Sequence, residues 1–168
     1  MSASARQAHD PDTIRDDPDL SAAQLIETLR TLVGTQSVNP GVFEAKMVEA
    51  VRELLAPTDC ETELVESLPG RWSLVALVRC RKDGPRVVLN GHMDTVGIDD
   101  PQAWSSDPFV ADVRDGFLYG RGSCDMKAGL TTQIAVGRYV AKHRAELRGE
   151  LVLQFAVGEE RGEPGTQL

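Results

Sequence analysis

Val87-Val88-Leu89-Asn90-Gly91-His92-Met93-Asp94 is an apolar run that gives way, through a glycine, to an imidazole and a carboxylate. Such a run reads as a strand, which puts His92 where the strand leaves its sheet. Ligands of open α/β sheets bind beyond strand ends. Residues two apart in extended chain face the same side, so Asp94 stands beside His92. A carboxylate there can accept the second ring N–H of a metal-bound imidazole and fix its tautomer. Alone, His-x-Asp is a weak signal, and a hydrogen-bonded loop histidine accounts for it equally well.

Two further segments carry the same kind of chemistry. Asp125 lies between the Gly120-Arg121-Gly122 turn and the start of a helical pattern. It reads either as a helix N-cap or as a carboxylate shared by two metals about 3.5–4 Å apart. Its neighbour Cys124 reads as a small packed thiol. The apolar run of residues 151–157 reads as a buried central strand, and it ends at Gly158-Glu159-Glu160. Two adjacent buried carboxylates repel unless a cation lies between them. Glu160 can bind such a cation while Glu159 takes a proton from water, the alternative being a solvated pair of turn glutamates.

Around these segments the pattern is α/β, a mixed β-sheet flanked by helices. Ser21 and Gln24 resemble a capping box ahead of a helix that runs to Gly34. A second helical pattern begins near Phe43 and stops at Pro57, and a third covers about 127–147. Strands are expected at 62–65, 73–80, 87–90 and 117–119. Lys82-Asp83-Gly84-Pro85 predicts an antiparallel hairpin between the second and third of them. Residues 1–19, with Asp10-Pro11-Asp12 and Asp16-Asp17-Pro18-Asp19, are too poor in large apolar groups to offset ordering entropy and read as a mobile leader before a unit at 20–168.

Composition narrows the partners. The chain has 168 residues, 41% hydrophobic and 26% charged, which suits one domain with a real core. Its net charge of -8 argues against nucleic acid or an anionic membrane and favours a small-molecule or peptide substrate. Cys60, Cys80 and Cys124 are odd in number and widely spaced, as expected of reduced thiols. With no apolar core of a signal segment, they lead to an expected cytoplasmic location.

Taken together, Gly91-His92-Met93-Asp94-Thr95-Val96, Trp104-Ser105-Ser106-Asp107-Pro108-Phe109, Tyr119 to Gly129 with its Gly-Arg-Gly-Ser-Cys-Asp-Met-Lys core, and Gly158-Glu159-Glu160 are far more specific than any one of them. In order and spacing they resemble the M20 metallopeptidases, the group of acetylornithine deacetylase, succinyl-diaminopimelate desuccinylase, aminoacylase and glutamate carboxypeptidase. The resemblance implies a zinc-peptidase-like catalytic domain that hydrolyses amide bonds of N-acyl amino acids or short peptides. It implies two divalent metals, zinc first with cobalt or manganese as alternatives. It also implies roles: His92, Asp125 and Glu160 as metal ligands, Asp125 bridging, Asp94 orienting His92, and Glu159 as the general base acting on metal-activated water. A cis peptide between Asp125 and Met126 belongs to the same pattern.

The same resemblance implies parts that lie beyond Leu168: a further acidic ligand, a lid domain through which the full-length form would be a homodimer, and a late histidine ligand. The chain is therefore expected to be an N-terminal portion, incomplete at its C-terminus, inactive alone and prone to association along an uncovered apolar edge at 151–157. Two other readings stand beside this one. One is a non-catalytic relative that acts by binding, which the presence of Glu159 tells against. The other is a different two-zinc aminopeptidase family, which the Gly-Arg-Gly-Ser-Cys-Asp-Met-Lys stretch tells against.

Overall fold

The computed structural model describes residue 14 and residues 16–166. Among the described residues, helices α1 (Ala22–Gly34), α2 (Ala45–Leu55) and α3 (Ala128–Lys142) accompany strands β1 (Glu61–Leu68), β2 (Arg71–Arg79), β3 (Lys82–His92), β4 (Asp112–Arg114), β5 (Phe117–Tyr119) and β6 (Arg148–Ala156). The main sheet runs β1-β2-β6-β3, and β4-β5 is a separate ribbon. The sheet is mixed, as expected. β1 and β6 are each antiparallel to β2, and β3 is parallel to β6.

Alternation along β6 explains its central place. Leu151, Leu153 and Phe155 are buried on one face, in register with Val78, Ala76 and Leu74 of β2. Against that face pack Met47, Val48, Val51 and Leu55 of α2 and Leu130, Ile134 and Ala141 of α3, giving one continuous core. The opposite face of β6 carries Glu150, Val152 and Gln154, all half-buried. There Arg86 donates to Glu150 at 2.7 Å and Asn90 to Gln154 at 2.9 Å.

The structure corrects several expectations. No hairpin joins β2 to β3, because β6 is inserted between them. The turn signal at Lys82-Asp83-Gly84-Pro85 is local, whereas β6, with Leu151, Leu153 and Phe155 buried in the core, takes neighbours on both sides. For the same reason 151–157 is not an edge. The edges are β1 and β3, and on β3 Val87 and Val88 are 50% and 49% exposed. Helix α2 begins at Ala45, after Phe43 takes a φ of 58°, and α3 ends at Lys142, five residues before Leu147.

Of the expected leader, residues 1–13 and 15 lie outside the described residues. Its last residues are held. Asp17 is 6% exposed and accepts a hydrogen bond from Lys142 Nζ at 2.8 Å, so the α3 terminus anchors the turn Pro18–Leu20. Ser21 caps α1 as its spacing with Gln24 predicts, accepting from Gln24 N at 3.3 Å. No helix among the described residues is long and apolar enough to cross a membrane.

Candidate metal centre

Parallel pairing of β3 with β6 brings two of the three segments together at one sheet edge. His92 is in register with Ala156, and Met93 N donates to Ala156 O at 2.8 Å. The chain then enters the Gly158-Glu159-Glu160 turn directly beside His92. Glycine at position 91 lets β3 and the start of α3 approach closely, since a Cβ there would lie 2.8 Å from Gln133 Nε2 and 2.9 Å from Leu130 on α3. That close approach is what draws the start of α3, and Asp125 with it, over the end of β3.

Asp125 arrives from a kinked turn whose backbone leaves helical values at Asp125 and Met126, and the Asp125–Met126 peptide is cis, as the resemblance implied. The turn is pinned from below by Lys127. Its side chain is 1% exposed, its Nζ donates to Thr35 O at 2.8 Å beyond the end of α1, and burial pushes its pKa down to about 8. Asp125 is therefore not an N-cap of α3, which has no side-chain cap. Cys124, expected as a packed thiol, is exposed and sits in the kinked turn rather than in the core.

The result is one cluster. His92 Nε2 lies 3.0 Å from Asp125 Oδ1 and 3.7 Å from Glu159 Oε2. One ligand atom each from His92, Asp125 and Glu160 falls within 4.8 Å of the others. On its other side the imidazole Nδ1 is 3.1 Å from the Asp94 carbonyl oxygen and 3.5 Å from its carboxylate. Burial opposes protonation of His92, but Asp94 and Asp125 outweigh it and lift its pKa to about 9. Glu160 is pushed up, first by burial and then by the Asp125 and Asp94 charges, with His92 opposing. A divalent cation among these groups would neutralise the crowded carboxylates and take the place of the imidazolium proton. The donor set, one imidazole and two carboxylates, fits zinc and accepts cobalt or manganese.

Asp94 does more than its spacing from His92 suggested. It is 1% exposed, and its carboxylate accepts Asn39 Nδ2 at 2.9 Å, Glu159 N at 3.2 Å and Glu160 N at 3.1 Å. Burial resists its ionisation, and these bonds with His92 hold its pKa below the usual carboxylate range. Sequence reading missed Asn39, Glu44, Arg71 and Glu163, which stand behind the turn. Their separations of up to 124 residues leave no local pattern to find. Trp104 and Arg121 meet with the guanidinium 5.2 Å from the ring centre.

Comparison with known proteins matches residues 88–168 to one family. Residues 88–168 belong to peptidase family M20/M25/M40. The chain is 29% identical over 152 residues to N-formyl-4-amino-5-aminomethyl-2-methylpyrimidine deformylase of Halalkalibacterium halodurans, covering 89% of this chain and 36% of the relative. It is 32% identical over 149 residues to a probable succinyl-diaminopimelate desuccinylase of Staphylococcus epidermidis, with the same 89% and 36% coverage. The chain thus spans about a third of these relatives' length. Among solved structures, human carnosine dipeptidase 1 shares the fold with a TM-score of 0.74 at 21% identity, over 86% of this chain and 34% of that one. A dinuclear metal-binding M20 peptidase of Bacillus subtilis does so with a TM-score of 0.60 at 24% identity, over 82% and 35%. The mixed sheet with its flanking helices is the M20 catalytic-domain fold.

Proposed function

We propose that this chain is the N-terminal part of the catalytic domain of a metal-dependent hydrolase that cleaves amide bonds in N-acyl amino acids or short peptides. The observation that carries the reading is the convergence of His92, Asp125 and Glu160, with ligand atoms within 4.8 Å, beside a Glu159 carboxylate that stands outside that trio. The two relatives' names support the substrate class, since deformylation and desuccinylation both free an amine from an acyl group.

In this reading His92, Asp125 and Glu160 would hold divalent metal, zinc being the expected one, and Asp125 would be the ligand available to a second ion. A divalent metal there supplies Lewis acidity and makes water available as a nucleophile near neutral pH. Asp94 fixes His92 and the backbone of the glutamate turn. Glu159, 59% exposed and 3.7 Å from the imidazole, accepts the proton that water gives up and returns it to the leaving amine. By themselves the described residues offer each ion the shared Asp125 and one further ligand, short of the three protein ligands usual at catalytic zinc. The 168 residues alone are accordingly proposed to be inactive. A cytoplasmic setting is part of the same proposal, supported by the free thiols of Cys60, Cys80 and Cys124.

Chelation tests the reading. In the enzyme that carries these residues, hydrolysis across a panel of N-formyl, N-succinyl and dipeptide substrates is expected to vanish with 1,10-phenanthroline and to return with added zinc or cobalt. Turnover indifferent to the chelator would refute a metal mechanism, and metal binding without turnover on any substrate would favour the binding-only relative.

A further inference from the structure

Three consecutive backbone N–H groups of the glutamate turn are each taken by a buried carboxylate. Gly158 N donates to Glu44 Oε1 at 3.3 Å, Glu159 N to Asp94 Oδ1 at 3.2 Å, and Glu160 N to Asp94 Oδ2 at 3.1 Å. Glu44 and Asp94 are each 1% exposed. Buried carboxylates of this kind need partners of their own, and here the partners connect.

Arg71 donates through Nε to Glu44 Oε2 at 2.9 Å and through Nη2 to Glu44 Oε1. Its Nη1 donates to Glu163 Oε2 at 2.6 Å. The same Glu163 oxygen accepts Asn39 Nδ2 at 3.0 Å, and Asn39 Nδ2 also donates to Asp94 Oδ2 at 2.9 Å. Glu163 N donates to Gly158 O at 2.9 Å. The bonds form a closed ring: turn, Glu44, Arg71, Glu163, Asn39, Asp94, and back to the turn. Gly158 is built to it, with a φ of 81° and no room for a Cβ, which would lie 2.7 Å from Glu163 Oε2.

The ring surrounds the backbone of the two residues whose aim matters most. A general base displaced by about 1 Å loses on the order of a hundredfold in rate, so fixing the turn is worth a network. Glu163 is the member on which the ring closes, since one of its oxygens joins the Arg71 arm to the Asn39 arm. At 34% side-chain exposure it is also the least buried of the three carboxylates, so its argument is geometric and not one of core stability.

We propose that Glu163 is a positioning residue for Glu159 and Glu160, closing through Arg71 and Asn39 the ring that fixes their backbone. The catalytic consequence rests on the metal-hydrolase reading; the ring does not.

Hydrogen–deuterium exchange of the full chain, compared with Glu163→Ala and Glu163→Gln, separates the two. Amides of Gly158, Glu159 and Glu160 are expected to exchange at least about tenfold faster in Glu163→Ala, with β6 amides unchanged. They are expected to stay near the parent in Glu163→Gln, whose amide oxygen still accepts from Arg71 and Asn39. In the active enzyme kcat is expected to fall about tenfold in Glu163→Ala at unchanged KM, and to recover in Glu163→Gln. Unchanged exchange in the turn overturns the proposal. Exchange that quickens equally through β6 also overturns it, since that is loss of stability and not of position. Faster turn exchange with an unchanged kcat overturns the positioning role. A parent enzyme that turns over no substrate refutes the hydrolase reading, while the exchange result still decides the ring.

Discussion

Glu159→Gln lowers kcat by about a hundredfold to ten-thousandfold and leaves the metal content unchanged, the range that general acid–base catalysis supplies. The expectation follows from how the turn divides its two carboxylates. Glu160 offers an oxygen to the cluster with His92 and Asp125, whereas Glu159 places its carboxylate 3.7 Å from the imidazole and 59% exposed, open to the approaching substrate. An amide keeps the size of the side chain and its backbone bond to Asp94 and removes only the ability to take a proton. KM should move little, because the lost interaction belongs to the transition state. Loss of metal from Glu159→Gln, read by elemental analysis, would reassign Glu159 as a ligand and leave the base unidentified.

Asp125→Ala produces the other large change. Metal affinity is expected to fall by more than about a hundredfold, beyond what the loss of a residue merely supporting a ligand brings, and turnover falls with it. In the proposed site Asp125 would be the carboxylate shared by both ions, so removing it would weaken both at once. Folding should be nearly untouched. The Asp125 side chain is 75% exposed and pairs with His92 at 3.0 Å, so the metal-free melting temperature should shift by no more than a few degrees. Zinc titration with a competing chelator reads the first effect and thermal melting the second. Two zinc ions bound with unchanged affinity by Asp125→Ala would remove Asp125 from the site.

Much of this was readable along the chain because the chemistry sits at ends of strands and at turns. Val87-Val88-Leu89 names a strand, Gly91 marks a close approach, and His92 follows where ligands bind; 151–157 and Gly158-Glu159-Glu160 repeat the pattern. Strand pairing was less readable. Lys82-Asp83-Gly84-Pro85 has the composition of a hairpin turn, yet β6, 60 or so positions later in the chain, takes the place beside β2 that a hairpin would have given β3. Local turn chemistry carries no information about a competing strand that arrives later with a more apolar face. The ring behind the glutamates was hidden for a similar reason. Asn39, Glu44, Arg71 and Glu163 form no local pattern, because only the fold brings the four together.

Zinc soaked into crystals of the enzyme and located by anomalous scattering at its absorption edge is the most direct test. Density is expected about 2.0–2.2 Å from His92 Nε2 and from carboxylate oxygens of Asp125 and Glu160, with Glu159 left uncoordinated. Zinc bound elsewhere, or bound at this cluster through Glu159 in place of Glu160, would contradict it.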